Sequence, residues 1–262
     1  MSLNVRRRSM IGSWRRADRW TVRRTGLAEL LRGEQPTLLG AQEALPDQEA
    51  FIRSALGPAY RAVGRGRGPR GGDEACPIFY DDERLELLAW EQLALSDRPH
   101  EAGSVSWGNL IPRIAVIATL RDRFTRGTLI VLNTHLDHLS NRSRVRSVGM
   151  IRDRVAGARM PAVVTGDFNA APGTPAVDAL LGDGALVDAW AAAGHPATAA
   201  PGTYTNYREP RAGHRRIDLI AVTPTITVHR ASVNAQRYAG VWVSDHLPIQ
   251  AEVTLPGTEA AR

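Results

Sequence analysis

Lysine is absent from this chain. Its 33 Lys+Arg residues are all arginine, set against 27 acidic residues, which gives a net charge of +6 and an isoelectric point of about 10.3. A basic surface favours polyanions, and arginine's planar fork suits phosphate. The excess leans the expected partner toward phosphorylated molecules or nucleic acid. Cysteine is nearly absent as well: Cys76 stands alone, which excludes a disulfide within the chain. No run of about 18 apolar residues occurs, which excludes a membrane-spanning helix. The opening Met-Ser-Leu-Asn-Val-Arg-Arg-Arg lacks the apolar core of a signal peptide, so a cytoplasmic location is expected. There is no fixed-period repeat, and beyond the Gly/Arg stretch at 64–72 no low-complexity block.

What is present suits a folded enzyme-sized domain. The 262 residues are 43% hydrophobic and 23% charged, enough for one large core. One domain is expected over 1–255, with a polar tail at 256–262. Short apolar runs read as strands at 2–5, 37–43, 60–63, 77–80, 85–95, 111–120, 128–134, 162–165, 216–222, 225–235 and 247–253. The runs at 77–80 and 85–95 are expected to pair through a turn at 81–84, and 111–120 with 128–134 through 121–127. A further strand is possible at 203–206. Helical spacing marks Leu27, Leu30 and Leu31, then 46–56, 142–155 and 175–181. The arginines of 6–24 read as the solvated face of the first helix. Many short strands without strict strand–helix alternation predict an α/β sandwich of two sheets.

Chemistry concentrates where strands end. Val163-Val-Thr-Gly-Asp-Phe-Asn-Ala170 is a buried strand that stops at Gly166 and delivers Asp167 and Asn169 together. Residues two apart point the same way, so both share one volume while Phe168 turns into apolar packing. Gln42-Glu43 closes another apolar run, and a carboxylate there suits a hard divalent cation. In Asn133-Thr-His-Leu-Asp-His138, Asn133, His135 and Asp137 share a side. A histidine among phosphate-binding groups can protonate a leaving group. The role of His138 is left open. Asp218 lies between apolar neighbours and must have a partner. Ser244-Asp-His-Leu-Pro248 offers His246 for that pairing and leaves Asp245 for a metal.

In their order these five motifs resemble the endonuclease/exonuclease/phosphatase superfamily, the DNase I-like group, over nearly the whole chain. The resemblance implies a four-layered α/β sandwich and a requirement for magnesium or manganese. It implies Glu43 as principal metal ligand, Asp245 as a second, and Asn4 beside the metal. Asp218 and His246 resemble the family's dyad, and Asp167 the residue that orients or deprotonates water. Asn169 is matched to a phosphate contact, and His135 to a general acid or phosphate contact. Asn133, Glu74 and Arg113 are further candidate substrate contacts. Whether Asp167 or His246 is the base stays open, as does one metal against two. The expected activity is metal-dependent phosphoester hydrolysis, with a phosphodiesterase or nuclease placed first. A phosphomonoesterase on an inositol- or sugar-phosphate is second, and a lipid headgroup ranks lowest. A catalytically inactive binding module on the same scaffold is the rival from another class. No obligate protein partner is expected.

Overall fold

The computed structural model describes residues 1–9, 12–194, 198, 202–211 and 213–257. Most of the tail expected at 256–262 lies outside them. The elements in chain order are β1 (Ser2–Asn4), α1 (Trp20–Glu34), β2 (Leu38–Gln42), α2 (Pro46–Leu56), β3 (Tyr60–Val63), β4 (Ile78–Asp81) and β5 (Leu85–Ala94). There follow β6 (Ile114–Asp122), β7 (Thr128–His135), α3 (Asn141–Ala158), β8 (Ala162–Asp167), α4 (Pro175–Leu181) and β9 (Val187–Asp188). The last are α5 (Ala189–Ala192), β10 (Asp218–Val222), β11 (Thr227–Val233) and β12 (Ile249–Thr254).

The strands form two six-stranded sheets, ordered β11-β12-β1-β2-β4-β3 and β5-β6-β7-β8-β10-β9. Pairing is antiparallel except for β1 with β2 and β7 with β8. Alternation sets the layers. On β7, Ile130 and Leu132 pack under α3 and α4 through Val148, Ile151, Val155 and Leu180, while Leu129 and Val131 face the other sheet. On β1 and β2, Leu3, Leu39 and Ala41 pack under α1 and α2 through Leu27, Leu30, Leu31 and Ile52. The result is helices, sheet, sheet and helices, the expected four-layered sandwich. No helix among the described residues is long and apolar enough to cross a membrane.

The sheets approach closely at Gly40. A Cβ there would lie 2.2 Å from Thr165 Oγ1 and 2.7 Å from Asn133 Oδ1, so only glycine lets the inner faces meet.

Two expectations are corrected. The runs at 77–80 and 85–95 do not pair. β4 lies between β2 and β3 and has both edges taken, so β5 crosses to the other sheet and pairs with β6. Residues 203–206 form a single bridge, Tyr204 to His246, and no strand.

Candidate active site

The parity that sorts apolar residues also sorts the chemistry. Asn4, His135, Asp167 and Asp218 all fall on inner faces, at the same end of the sandwich. The parallel pair β1–β2 sets Asn4 opposite Gln42, with Glu43 next. β7–β8 sets His135 opposite Asp167, and β8–β10 sets Asp218 opposite Asp167. Glu43 has φ 61°, a left-handed backbone that is strained for a residue with a Cβ and breaks the strand where the carboxylate is needed.

Asp167 is the centre. Its Oδ2 accepts from Asn4 Nδ2 at 3.0 Å and lies 3.6 Å from His135 Nε2 and 3.7 Å from His246 Nε2. Its Oδ1 accepts from the Asn169 main-chain N–H at 2.9 Å. Asn169 sits at φ 48° and donates through Nδ2 to the Leu136 carbonyl at 3.0 Å, while Phe168 is buried under α3 and α4. The other face of His246 is held by Asp218, Nδ1 to Oδ2 at 2.8 Å. The Tyr204 ring packs on the imidazole with centroids 5.0 Å apart.

The metal-type acids are gathered separately. Glu43 accepts from Asn4 Nδ2 and from the Arg7 main-chain N–H, each at 3.0 Å. Ser244 Oγ donates to the Asn4 carbonyl at 2.6 Å and so ties the loop carrying Asp245 to β1. The Arg6 guanidinium lies 3.9 Å from Glu43, 3.7 Å from Asp245 and 3.2 Å from Asp18. The reading of 6–24 as a solvated helical face passed over Arg6 and Arg23. Arg6 lies two residues after Asn4, beyond the end of β1 and at φ 54°.

Charge states follow from burial and neighbours. Burial alone would lower His246, but Asp218 and Asp167 override it and push it up to about 10. His135 lacks so strong a partner, and burial pulls it down to about 4 against the attraction of Asp167. Asp167 is raised by burial and by repulsion from Asp218. Burial would raise Glu43 too, but His135, the Arg7 amide, Asn4 and Arg6 bring it to about 2. Asp245 is raised by burial and, more weakly, by the charge on Glu43.

That last repulsion, between two buried carboxylates with oxygen donors, fits a hard divalent cation. A second group of donors, on Asp167, Asp218 and His246, lies within 4.8 Å of one another. Within it Asp218 Oδ2 and His246 Nδ1 bond each other, while the buried Asp218 Oδ1 has no hydrogen-bond partner among the described residues.

Of three further expected contacts, Glu74 and Arg113 line a small pocket with Glu43 and His135, and Asn133 lies deeper. Asn133 is fully buried between the sheets. It donates to the Ala41 and Pro77 carbonyls at 2.7 and 3.0 Å and accepts from Gln42 Nε2 and Thr165 Oγ1 at 2.7 and 3.1 Å. Its side-chain hydrogen-bonding capacity is used between the sheets, as a clamp. Arg113 is 2% exposed, holds Asp137 at 3.4 Å and His138 Nδ1 at 3.0 Å, and so supports the turn after His135. Glu74 faces Arg7 and Arg67, both at 2.8 Å. A groove of about 790 Å³ opens at the opposite end, among Leu38, Leu129, Val163, Ile220 and Val253. It carries none of this chemistry.

A two-sheet sandwich that gathers these acids, amides and an Asp–His pair at one end defines a phosphoesterase of DNase I-like architecture. The chain belongs to the endonuclease/exonuclease/phosphatase family, whose model matches residues 1–246. Among solved structures it is similar to a mannosyl-6-phosphatase of Bacteroides thetaiotaomicron, with 27% identity, TM-score 0.89, and 97% of this chain and 98% of that chain covered. A family protein of Bacteroides vulgatus shares 28% identity with TM-score 0.87, covering 97% of each chain. The human Nocturnin catalytic domain with bound sulfate shares the fold at 18% identity and TM-score 0.71, covering 96% of this chain and 91% of that one. No curated protein sequence matches the chain.

Proposed function

We propose that this protein hydrolyses phosphoesters by in-line attack of water, with Glu43 and Asp245 holding magnesium or manganese. The observation that carries the reading is Asp167, buried and surrounded by Asn4, His135 and His246 with Asp218 behind. When bound, such a cation neutralises charge on the phosphoryl and leaving-group oxygens. Asp167 accepts the proton of the attacking water. The alternative base, His246, is less suited, since Asp218 and Asp167 favour its protonated form. As an imidazolium it stabilises the negative charge that develops on phosphorus-bound oxygens. His135 is placed to contact the phosphoryl group. Asn169 has one side-chain N–H on Leu136 and a second for a phosphate oxygen. The completeness of this set speaks against an inactive binding module.

For the substrate we favour a phosphomonoester of a sugar-like alcohol over a nucleic-acid diester. Many of the arginines, whose number leaned the other way, are paired within the fold. Arg84 pairs with Asp122 at 2.6 Å, Arg154 with Glu91 at 2.6 Å, Arg67 with Glu74 at 2.8 Å, and Arg216 with Asp188. The likeness to a mannosyl-6-phosphatase along nearly the whole of both chains supports the same choice.

The test is hydrolysis with Mg²⁺ or Mn²⁺ of hexose 6-phosphates, p-nitrophenyl phosphate, bis-p-nitrophenyl phosphate, DNA and RNA, each with EDTA and Asp167→Asn controls. Metal-dependent phosphate release from the monoesters, lost in the variant, is expected. Cleavage of the diesters alone overturns the substrate, and no metal-dependent turnover on any of them overturns the function.

A further inference from the structure

Among the described residues Arg23 is the largest fully buried side chain, and no carboxylate pairs with it. Its guanidinium stacks over the Trp20 ring at 5.5 Å and spends four N–H bonds on main-chain carbonyls. Nε donates to Asp18 at 3.2 Å and Nη2 to Arg6 at 3.0 Å. Nη1 donates to both Val5 at 2.9 Å and Val243 at 3.0 Å.

The stability of α1 does not account for this residue. A buried guanidinium without a counter-charge is costly, and a cation in the first turn of a helix opposes the helix dipole. The acceptors are more informative. Val5 and Arg6 follow Asn4, whose amide touches Glu43 and Asp167. Val243 leads into Ser244, Asp245 and His246. Asp18 holds Arg6 through its carboxylate. One nitrogen therefore spans the two segments that carry Asn4 and Asp245, and its reach sets how far apart they stand.

We infer that Arg23 is a positioning residue for the candidate metal site, holding the Asn4–Arg6 segment and the Val243–His246 segment at the spacing that Glu43 and Asp245 need to share one cation. The inference rests on the proposed function. It assigns a role outside the cleft, acting only through main-chain carbonyls. Lysine cannot replace it, because one ammonium on a flexible stem does not reach four carbonyls arranged around a planar fork.

Arg23→Met leaves all four carbonyls without their donor and is expected to fold poorly. The decisive variant is Arg23→Lys, compared with Leu27→Ala, a core truncation on the same helix in the cluster that holds Val5 and Val243, which removes apolar packing but no hydrogen bond from either segment. Each is measured for thermal midpoint, for Mn²⁺ affinity by calorimetry without substrate, and for kcat and KM on p-nitrophenyl phosphate at saturating Mn²⁺. Supporting residues around a metal typically contribute about 10–100-fold to affinity or activity, and Arg23→Lys is expected to lose at least the lower figure in Mn²⁺ affinity. Its kcat is expected to fall with KM little changed, while Leu27→Ala, although less stable, keeps both affinity and kcat. Wild-type protein that binds Mn²⁺ and turns over, with Arg23→Lys indistinguishable from Leu27→Ala, overturns this inference alone. Wild-type protein that neither binds Mn²⁺ nor turns over overturns the proposed function and this inference with it.

Discussion

The side-chain amide of Asn4, on one sheet, reaches Asp167 on the other at 3.0 Å and donates its second hydrogen to Glu43 at the same distance. One NH₂ group thus couples the carboxylate read as the base to the one read as the metal ligand. Asn4→Ala is expected to lower kcat by about 10–100-fold, the range for residues that orient a metal ligand, and to weaken Mn²⁺ binding in parallel. Steady-state kinetics and calorimetry check both. Unchanged affinity with lowered kcat would confine Asn4 to Asp167.

Asp167→Asn keeps the shape of the side chain and removes its basicity. Turnover is expected to fall by about 10²–10⁴, the usual contribution of a positioned base. Burial and Asp218 both oppose the charge on Asp167, so the variant is expected to melt no lower than wild type in EDTA. A combined kinetic and thermal-melt comparison is the check. Retained turnover would remove Asp167 from the mechanism.

Much of this site was legible because strand alternation is rigid. Asp167, Asp218 and His135 end up on one face for the same reason that Phe168 and Leu219 end up on the other. Alternation gives a side and not a depth, however. Asn133 shares its side with His135, yet that side includes the interior between the sheets, where Asn133 lies. The pairing of β4 was illegible because a four-residue strand says nothing of whether its edges are free. Arg23 was illegible for another reason: its partners are main-chain carbonyls, which leave no mark in a sequence, and an arginine in an amphipathic helix reads as solvent-facing.

Asn133 makes a separate prediction about stability. Asn133→Ala removes one partner each from Gln42 Nε2, Thr165 Oγ1 and the Ala41 and Pro77 carbonyls, although Gln42 Nε2 keeps Ser2 and Gly40, Thr165 Oγ1 keeps Leu132 and the Pro77 carbonyl keeps the Ala41 N–H. A buried hydrogen bond contributes about 0.5–1.5 kcal/mol net and four are lost together, so the loss of folding stability is expected to exceed that of a single bond. Urea unfolding measures it. A loss no larger than one hydrogen bond would mean that the inner faces admit water there.

The pH dependence of stability follows from the two histidines, whose shifts are opposite in sign. His135 is lowered to about 4 in the fold, against about 6.5 unfolded. Between those values the unfolded chain holds more protons, so stability rises with pH. His246 is raised to about 10. Between about 6.5 and that value the folded chain holds the extra proton, so its contribution is full below about 6.5 and lost as pH climbs toward 10. In EDTA the thermal midpoint is therefore expected to peak near neutrality and decline on the alkaline side. Asp218→Asn removes the strongest attraction on His246 and is expected to flatten that decline, whatever it does to the midpoint itself. Other groups, such as Cys76 raised by burial to about 12, also favour the folded state less at high pH, but Asp218→Asn leaves them in place. An alkaline slope equal in the two proteins would mean that His246 is not held as an imidazolium by Asp218, and His246 would then return as a candidate for the base.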